Sequence, residues 1–239
     1  LAAAESGAKV LLVDENPWAG GSLAYLHKAD GRLDGLLTNV RSTENIELRL
    51  GCLAAGHYAD RWVALVDDTR LTKVRAGAVI VAAGCYEQPA VFRNNDLPGV
   101  MLATGALRLL RLYAVKPFEK VLVMTANPEG YSAAVAFLEA GIAVRAIVDL
   151  RPEGESSRVG HEVADLGITV HPGSVVHEAL ASKGSSGISG AVVREWDGDG
   201  SVRDGKGVVF DCDGLAMSVG WAGADGLLRQ PGGRMVYAR

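Results

Sequence analysis

The stretch Lys120–Asp149, KVLVMTANPEGYSAAVAFLEAGIAVRAIVD, decides the fold. It opens on a continuous apolar run, Lys120–Thr125. A run without polar alternation marks a strand buried on both faces, as in a parallel sheet. Small residues dominate Gly130–Ala140, which reads as a helix stopped by Gly141. A second apolar run, Ala143–Asp149, ends in an acid. Strand, glycine-bearing turn, helix and acid-terminated strand form the plan of a dinucleotide-binding half-domain. In that plan the turn and the helix N-terminus meet a pyrophosphate. The acid accepts hydrogen bonds from the adenosine ribose.

Toward the N-terminus, Leu1–Asp14 repeats the second half of this pattern. A short helix (Ala2–Glu5) and Gly7 lead into the apolar strand Lys9–Asp14, KVLLVD. Asp14, with Glu15 beside it, is a candidate ribose acceptor; the alternative is an acid that merely begins a turn. Gly20 and Gly21 follow, either as backbone close to a dinucleotide or as an ordinary loop. Ala78–Ala83, AVIVAA, reads as another buried strand. Ala82, Ala83 and Gly84 close it at its carboxyl end, where α/β ligands sit, unless they form only a tight exit turn. The chain begins at Leu1, inside what reads as a structural unit. The first strand and its glycine turn are therefore expected to precede it.

The second turn, Thr125-Ala126-Asn127-Pro128-Glu129-Gly130, keeps only its last glycine. Side chains at Thr125 and Asn127 stand where glycines let backbone approach a pyrophosphate, and Glu129 repels it. This unit is expected to keep the fold and to have lost ordinary dinucleotide binding, although Asp149 stands 24 residues after Thr125. Around these units, Arg61–Asp67 and Thr69–Arg75 read as paired strands. Val100–Tyr113 has helical apolar spacing. A helix near Ser156–Leu166 and strands at Ile168–His171, Ile188–Trp196 and Gly207–Phe210 follow. Lys116-Pro117 is the expected break, and Asp213–Trp221 reads as a strand returning to the first unit. The domains expected are 1–116 with 213–239, a truncated first dinucleotide-binding unit, and 117–212, a degenerate second unit inserted into it. The fold class is α/β and Rossmann-like, with two dinucleotide-type units.

Composition narrows the function classes. The 239 residues are 49% hydrophobic and 22% charged, a globular balance. A net charge of −4 gives no field for nucleic acid or an anionic membrane. Apolar runs are strand-length, too short to cross a bilayer. The three cysteines, Cys52, Cys85 and Cys212, form no Cys-x-x-Cys pair, which argues against a disulfide reductase. An odd cysteine count without a leader fits the cytoplasm. Cys85 reads as a buried, inert thiol. His27, His57, His161, His171 and His177 lack ligand spacing, so no metal site is expected. No nucleophile–base motif appears, so no catalytic residue is assigned.

Several runs carry a family resemblance. They are VDENPWAGGSL (Val13–Leu23), AAGCYEQP (Ala82–Pro89), VFRNNDLPGVMLA (Val91–Ala103), KVLVMTANPEGY (Lys120–Tyr131), AIVDLR (Ala146–Arg151), MSVGW (Met217–Trp221) and QPGG (Gln230–Gly233). In this order the chain resembles the α subunit of heterotetrameric sarcosine oxidase, a two-dinucleotide-domain flavoprotein. Ala83 stands where that family usually has threonine. The resemblance implies that the two units are of the FAD/NAD(P)-binding kind. It implies NAD binding in this region, flavin (FAD) enclosed with a β subunit, and β, γ and δ partners. It implies that a small amine is oxidised in the β subunit, not by these residues. The cofactor-binding residues carried over are Asp14, Glu15, Gly20, Gly21, Ala82, Ala83 and Gly84. Related α-type chains occur in cyanide synthases, opine oxidases and dye-linked amino-acid dehydrogenases. A non-catalytic scaffold subunit is the reading from a different class.

Overall fold

The computed structural model describes residues 1–26, 31–184, 186–197 and 200–236; His27 lies outside them. The chain opens with α1 (Ala2–Glu5), β1 (Val10–Val13), α2 (Arg32–Ser42) and β2 (Ile46–Arg49). A meander follows: β3 (Leu53–Tyr58), β4 (Trp62–Val66) and β5 (Leu71–Arg75). Next come β6 (Cys85–Glu87), β7 (Val100–Leu102), α3 (Ala103–Tyr113), β8 (Lys120–Thr125), α4 (Pro128–Glu139) and β9 (Ala143–Asp149). Then α5 (Arg158–Asp165), β10 (Val170–Pro172), β11 (Ser174–Ala181), β12 (Ile188–Glu195) and β13 (Val208–Asp211). The last elements are β14 (Gly214–Ser218), β15 (Trp221–Gly223) and α6 (Gly226–Arg229).

The chain forms two compact units, one of Leu1–Tyr86 with Gly223–Arg239, the other of Glu87–Ala222. The second is built on a parallel sheet in the order β10-β9-β8-β14-β7. Residues 121–125 and 214–218 are wholly buried, as unbroken apolar runs covered on both faces should be. One face of the sheet takes α4, whose alanines Ala133, Ala134 and Ala136 let the helix approach closely. Phe118 and Phe137 meet edge-on within this unit, their ring centroids 6.0 Å apart. The other face takes the antiparallel sheet β11-β12-β13. Leu122, Met124, Val148, Val176, Val193, Leu215 and Met217 fill the space between the two sheets. Each fully buried large apolar side chain there contributes about 1.5–3 kcal/mol.

Register sets the functional edge of this unit. Thr125 pairs with Asp149 on one side and with Ser218 on the other, and Asp149 pairs with Pro172. The carboxyl ends of four parallel strands therefore stand in a row. Strand order reverses between β8 and β14, the place where open α/β sheets leave a crevice.

The first unit holds β1 and β2 as a two-stranded parallel sheet, with Val13 opposite Arg49. It also holds the antiparallel meander β3-β4-β5.

Three expectations need correction. Val100–Leu102 is a strand, and the helix starts only at Ala103. Gly214–Ser218 does not return to the first unit; it pairs with β7 and β8 in the second, so the unit boundaries fall at residues 86/87 and 222/223. Ala78–Ala83 is not a buried strand. Among the described residues no strand pairs with it, and Ile80 is 83% exposed. An extended run with no neighbouring ladder sends its amides to water, whatever its hydropathy.

Candidate functional site

Two strand-end acids define the candidate chemistry. Asp149 is fully buried at the end of β9. Its Oδ1 accepts from Arg151 N–H at 2.9 Å and Arg151 Nε at 3.1 Å. Its Oδ2 accepts from Tyr131 Oη at 2.8 Å and an Arg151 terminal nitrogen at 2.8 Å. Two oxygens with two donors each leave little capacity for a ribose. Arg151 also reaches Glu155 at 2.9 Å. Burial, then the bond to Asp149, holds the Tyr131 phenol above the ordinary tyrosine range. The hydrogen bond to Asp149 likewise raises the Arg151 guanidinium.

The turn of the same unit is also closed on itself. Asn127 caps α4, its Oδ1 accepting from Gly130 N–H at 3.3 Å and from Ser218 Oγ at 3.1 Å. Pro128 opens the helix and has no N–H to offer. Thr125 Oγ1 donates to Ser218 O at 2.9 Å across the switch between β8 and β14. A Cβ at position 130 would run into the Thr125 side chain, so only glycine fits there. Among the described residues the buried Asn127 Nδ2 has no hydrogen-bond partner. The donors a pyrophosphate needs are spent or missing at this end.

Asp14, at the end of β1, is arranged differently. It is half-buried, and among the described residues only its Oδ1 is used, accepting from Asn16 N–H at 2.9 Å and Asn16 Nδ2 at 3.0 Å. Its backbone ties β1 to the next turn, with Asp14 N–H donating to Arg49 O and Cys52 N–H to Asp14 O. Among the described residues Oδ2 accepts no hydrogen bond, so it can take a ligand hydroxyl. Glu15 is exposed beside it. Gly20 and Gly21 both hold positive φ, +118° and +53°. At Gly20 a Cβ would lie 2.7 Å from Leu33 Cδ1, so glycine also lets α2 pack down.

Ala82, Ala83 and Gly84 are exposed, and no ladder joins them to β1. Gly84, at φ +72°, accepts from Ala224 N–H at 2.9 Å. They therefore form an irregular segment anchored to Ala224, not the closing end of a buried strand. Cys85, expected to be buried, is exposed; Cys52 and Cys212 are buried. Glu87 belongs to the run AAGCYEQP but has no role that its sequence context alone reveals. It is buried, and its Oε2 accepts from Thr104 N–H at 2.9 Å and Thr104 Oγ1 at 2.6 Å at the start of α3. A carboxylate there complements the positive end of the helix. Among the described residues no cluster of His, Cys, Asp or Glu could hold a metal, and no helix is long and apolar enough to cross a membrane.

No family model matches the chain. The chain is 32% identical, over 98% of its length, to the sarcosine oxidase alpha subunit of Corynebacterium sp. (strain P-1). It spans 26% of that relative's length. Shorter stretches match the HcnB subunit of hydrogen cyanide synthase from Pseudomonas aeruginosa (29% identity, 48% of this chain, 25% of the relative) and an opine oxidase subunit of Rhizobium meliloti (26% identity, 63% of this chain, 35% of the relative). Among solved structures, thioredoxin reductase of T. acidophilum matches with a TM-score of 0.71 at 18% identity, over 96% of this chain and 75% of that one. L-Proline dehydrogenase of P. horikoshii matches with a TM-score of 0.69 at 20% identity, over 97% of this chain and 41% of that one. Those two likenesses show the fold of FAD/NAD(P)-binding oxidoreductases built from two dinucleotide-type domains.

Proposed function

We propose, from the premise that this chain is homologous to a segment of the sarcosine oxidase alpha subunits, that it is the dinucleotide-carrying region of one component of an amine-oxidising flavoenzyme. The first unit, Leu1–Tyr86 with Gly223–Arg239, is the cofactor-binding one. The observation that carries this is that Asp14 Oδ2, at the end of a parallel strand, has no hydrogen-bond partner among the described residues. The adenosine ribose of NAD or FAD fits that oxygen, with Glu15 available beside it and the backbone of Gly20 and Gly21 open to close approach. Ala82, Ala83 and Gly84 belong to the same proposed site as an exposed irregular segment. When bound, the dinucleotide supplies the redox group. The residues of this chain hold and orient it.

The second unit, Glu87–Ala222, is assigned a structural role. The self-paired Asp149 and the closed turn at Asn127 support that assignment. Oxidation of the amine, with sarcosine as the leading substrate, is placed in a partner polypeptide, and the isolated 239 residues are expected to turn over no sarcosine. An alpha-type component of a cyanide synthase or opine oxidase is the second reading, supported by the shorter matches to those proteins.

The test is calorimetry on the full-length protein. The Asp14→Ala, Glu15→Ala double variant should bind NAD or FAD more weakly by roughly 1–3 kcal/mol. Unchanged affinity for both dinucleotides would remove Asp14 and Glu15 from the site.

A further inference from the structure

The meander of the first unit has an inner and an outer face, set by its register. Leu65 pairs with Ala54 and Thr72, and Val63 with His57 and Val74; these positions are buried or half-buried. The alternate positions form the outer face. Val66 stands between Leu53 and Leu71, and Trp62 between Tyr58 and Arg75. A solvated sheet face should carry polar residues. This one is mostly apolar and aromatic. Leu71 and Tyr58 are each 59% exposed, Leu53 45% and Trp62 40%. Gly56 lets the Tyr58 side chain lie back over the strand, since a Cβ there would sit 2.7 Å from Tyr58 Oη.

The charges on this face are all of one sign. Lys73 and Arg75 are exposed, and among the described residues neither has an ion-pair partner. Arg75 Cζ lies 5.9 Å from the centre of the Trp62 ring, the outer range of a cation–π contact. That contact leaves the guanidinium N–H donors free for a carboxylate. Asp67, in the turn beyond Val66, is already engaged with Thr69 and Arg70.

We propose that the outer face of the β3-β4-β5 meander is a docking surface for a different polypeptide, one that presents an apolar patch to Tyr58 and Trp62 and carboxylates to Lys73 and Arg75. This rests on the reading of the chain as one component of a larger enzyme. Charge decides the occupant. A second copy of the same face would set Lys73 and Arg75 against like charges and bring no acid. A partner with Asp or Glu at those positions gains paired, desolvated charges around an apolar centre, the usual anatomy of a specific interface.

The test uses the complete assembly purified from its source. A water-soluble carbodiimide joins an amine to a carboxylate only where the two touch, and mass spectrometry maps the product. The expected result is Lys73 joined to an Asp or Glu of another polypeptide. The Lys73→Glu, Arg75→Glu double variant should weaken that association by about tenfold or more, while Lys73→Arg keeps it. Cross-linking of the unaltered protein decides the matter even if the double variant fails to fold. An intact hetero-assembly in which Lys73 stays uncross-linked and fully reactive overturns this surface and leaves the multi-component reading standing. A link to a second copy of the same chain overturns the heterologous occupant. A chain that purifies with no other polypeptide overturns both readings.

Discussion

Asp14 and Asp149 close the same sequence pattern and meet opposite fates. Each ends an apolar strand that follows a helix and a glycine. Asp149 lies fully buried with four donors on its two oxygens, from Tyr131 and Arg151. Asp14 is half-buried and, among the described residues, spends one oxygen on Asn16 alone. The difference arises from the residues two positions on, arginine in one case and asparagine in the other, and from a tyrosine at the fourth position of α4. An acid at a strand end is therefore a capacity, and its local donors decide whether it serves the fold or a ligand.

The sharpest way to break this comparison is to remove each acid and measure stability. Asp149→Ala leaves the Tyr131 hydroxyl and the Arg151 guanidinium without their buried partner. Arg151 keeps Glu155 and is partly exposed, so the main loss is that of the hydrogen bonds to a buried charged group, about 3 kcal/mol, and denaturant unfolding should show it. Asp14→Ala loses only local bonds within a turn and should cost about 1 kcal/mol or less. Equal losses at the two positions would mean that both acids serve the fold.

The glycine at position 130 sharpens the same contrast with a smaller effect. Gly130→Ala drives a methyl group into Thr125, a buried β-branched side chain with nowhere to move. Overpacking of this kind costs about 1–3 kcal/mol. A thermal midpoint within one degree of the unaltered protein would show that the Thr125–Asn127–Ser218 closure is not rigid.

Much of the second unit is legible in the sequence because its strands are buried on both faces. Val121–Met124 and Ala146–Val148 announce themselves as unbroken apolar runs inside β8 and β9, although Arg145 interrupts β9 nearer its start. Ser174–Ala181 passes unread because His177 and Glu178 interrupt its pattern, as a strand with one mixed face allows. Val100–Leu102 hides because its apolar residues run straight into those of α3. Ala78–Ala83 misleads in the other direction. Hydropathy marks a segment that would be buried if a neighbour existed, and pairing cannot be read from one run alone. At the candidate site, both acids are visible as residue types at strand ends. The pairing of Asp149 with Tyr131 is not visible, because it depends on where the first turn of α4 stands against β9, and that follows from register.

A pH experiment isolates the Tyr131–Asp149 bond. The Tyr131 phenol is held above the ordinary range in the folded state, so above pH about 10 the unfolded chain loses a proton that the folded chain keeps. Stability must then fall as pH rises from 10 toward the folded value, by at most about 1.4 kcal/mol per pH unit from this group. Tyr131→Phe removes that share of the alkaline slope. Identical slopes for the two proteins between pH 9.5 and 11, values bracketing the ordinary tyrosine range, would mean that the phenol ionises freely in the fold.

The smallest effect separates the thiols and costs no stability to measure. Cys85 is exposed at the start of β6, just after Gly84. Cys52 is buried behind the Asp14 turn, where its N–H donates to Asp14 O. Cys212 is buried just before β14, and burial, reinforced by Asp213 and Asp211, pushes its thiol up to about 12. Only a thiolate attacks an alkylating reagent, and only an accessible one meets it. Iodoacetamide at pH 8 should therefore label Cys85 first. Cys52 waits on local opening of the first unit, and Cys212 on opening of the second. Adding denaturant in steps then reports the two units separately: the concentration at which Cys52 becomes reactive tracks the β1 exit, and that for Cys212 tracks the parallel sheet. With the Asp149→Ala variant, the Cys212 step should move to lower denaturant while the Cys52 step holds still. Movement of both steps together would mean that the units unfold as one, and the contrast between the acids would then describe one cooperative structure.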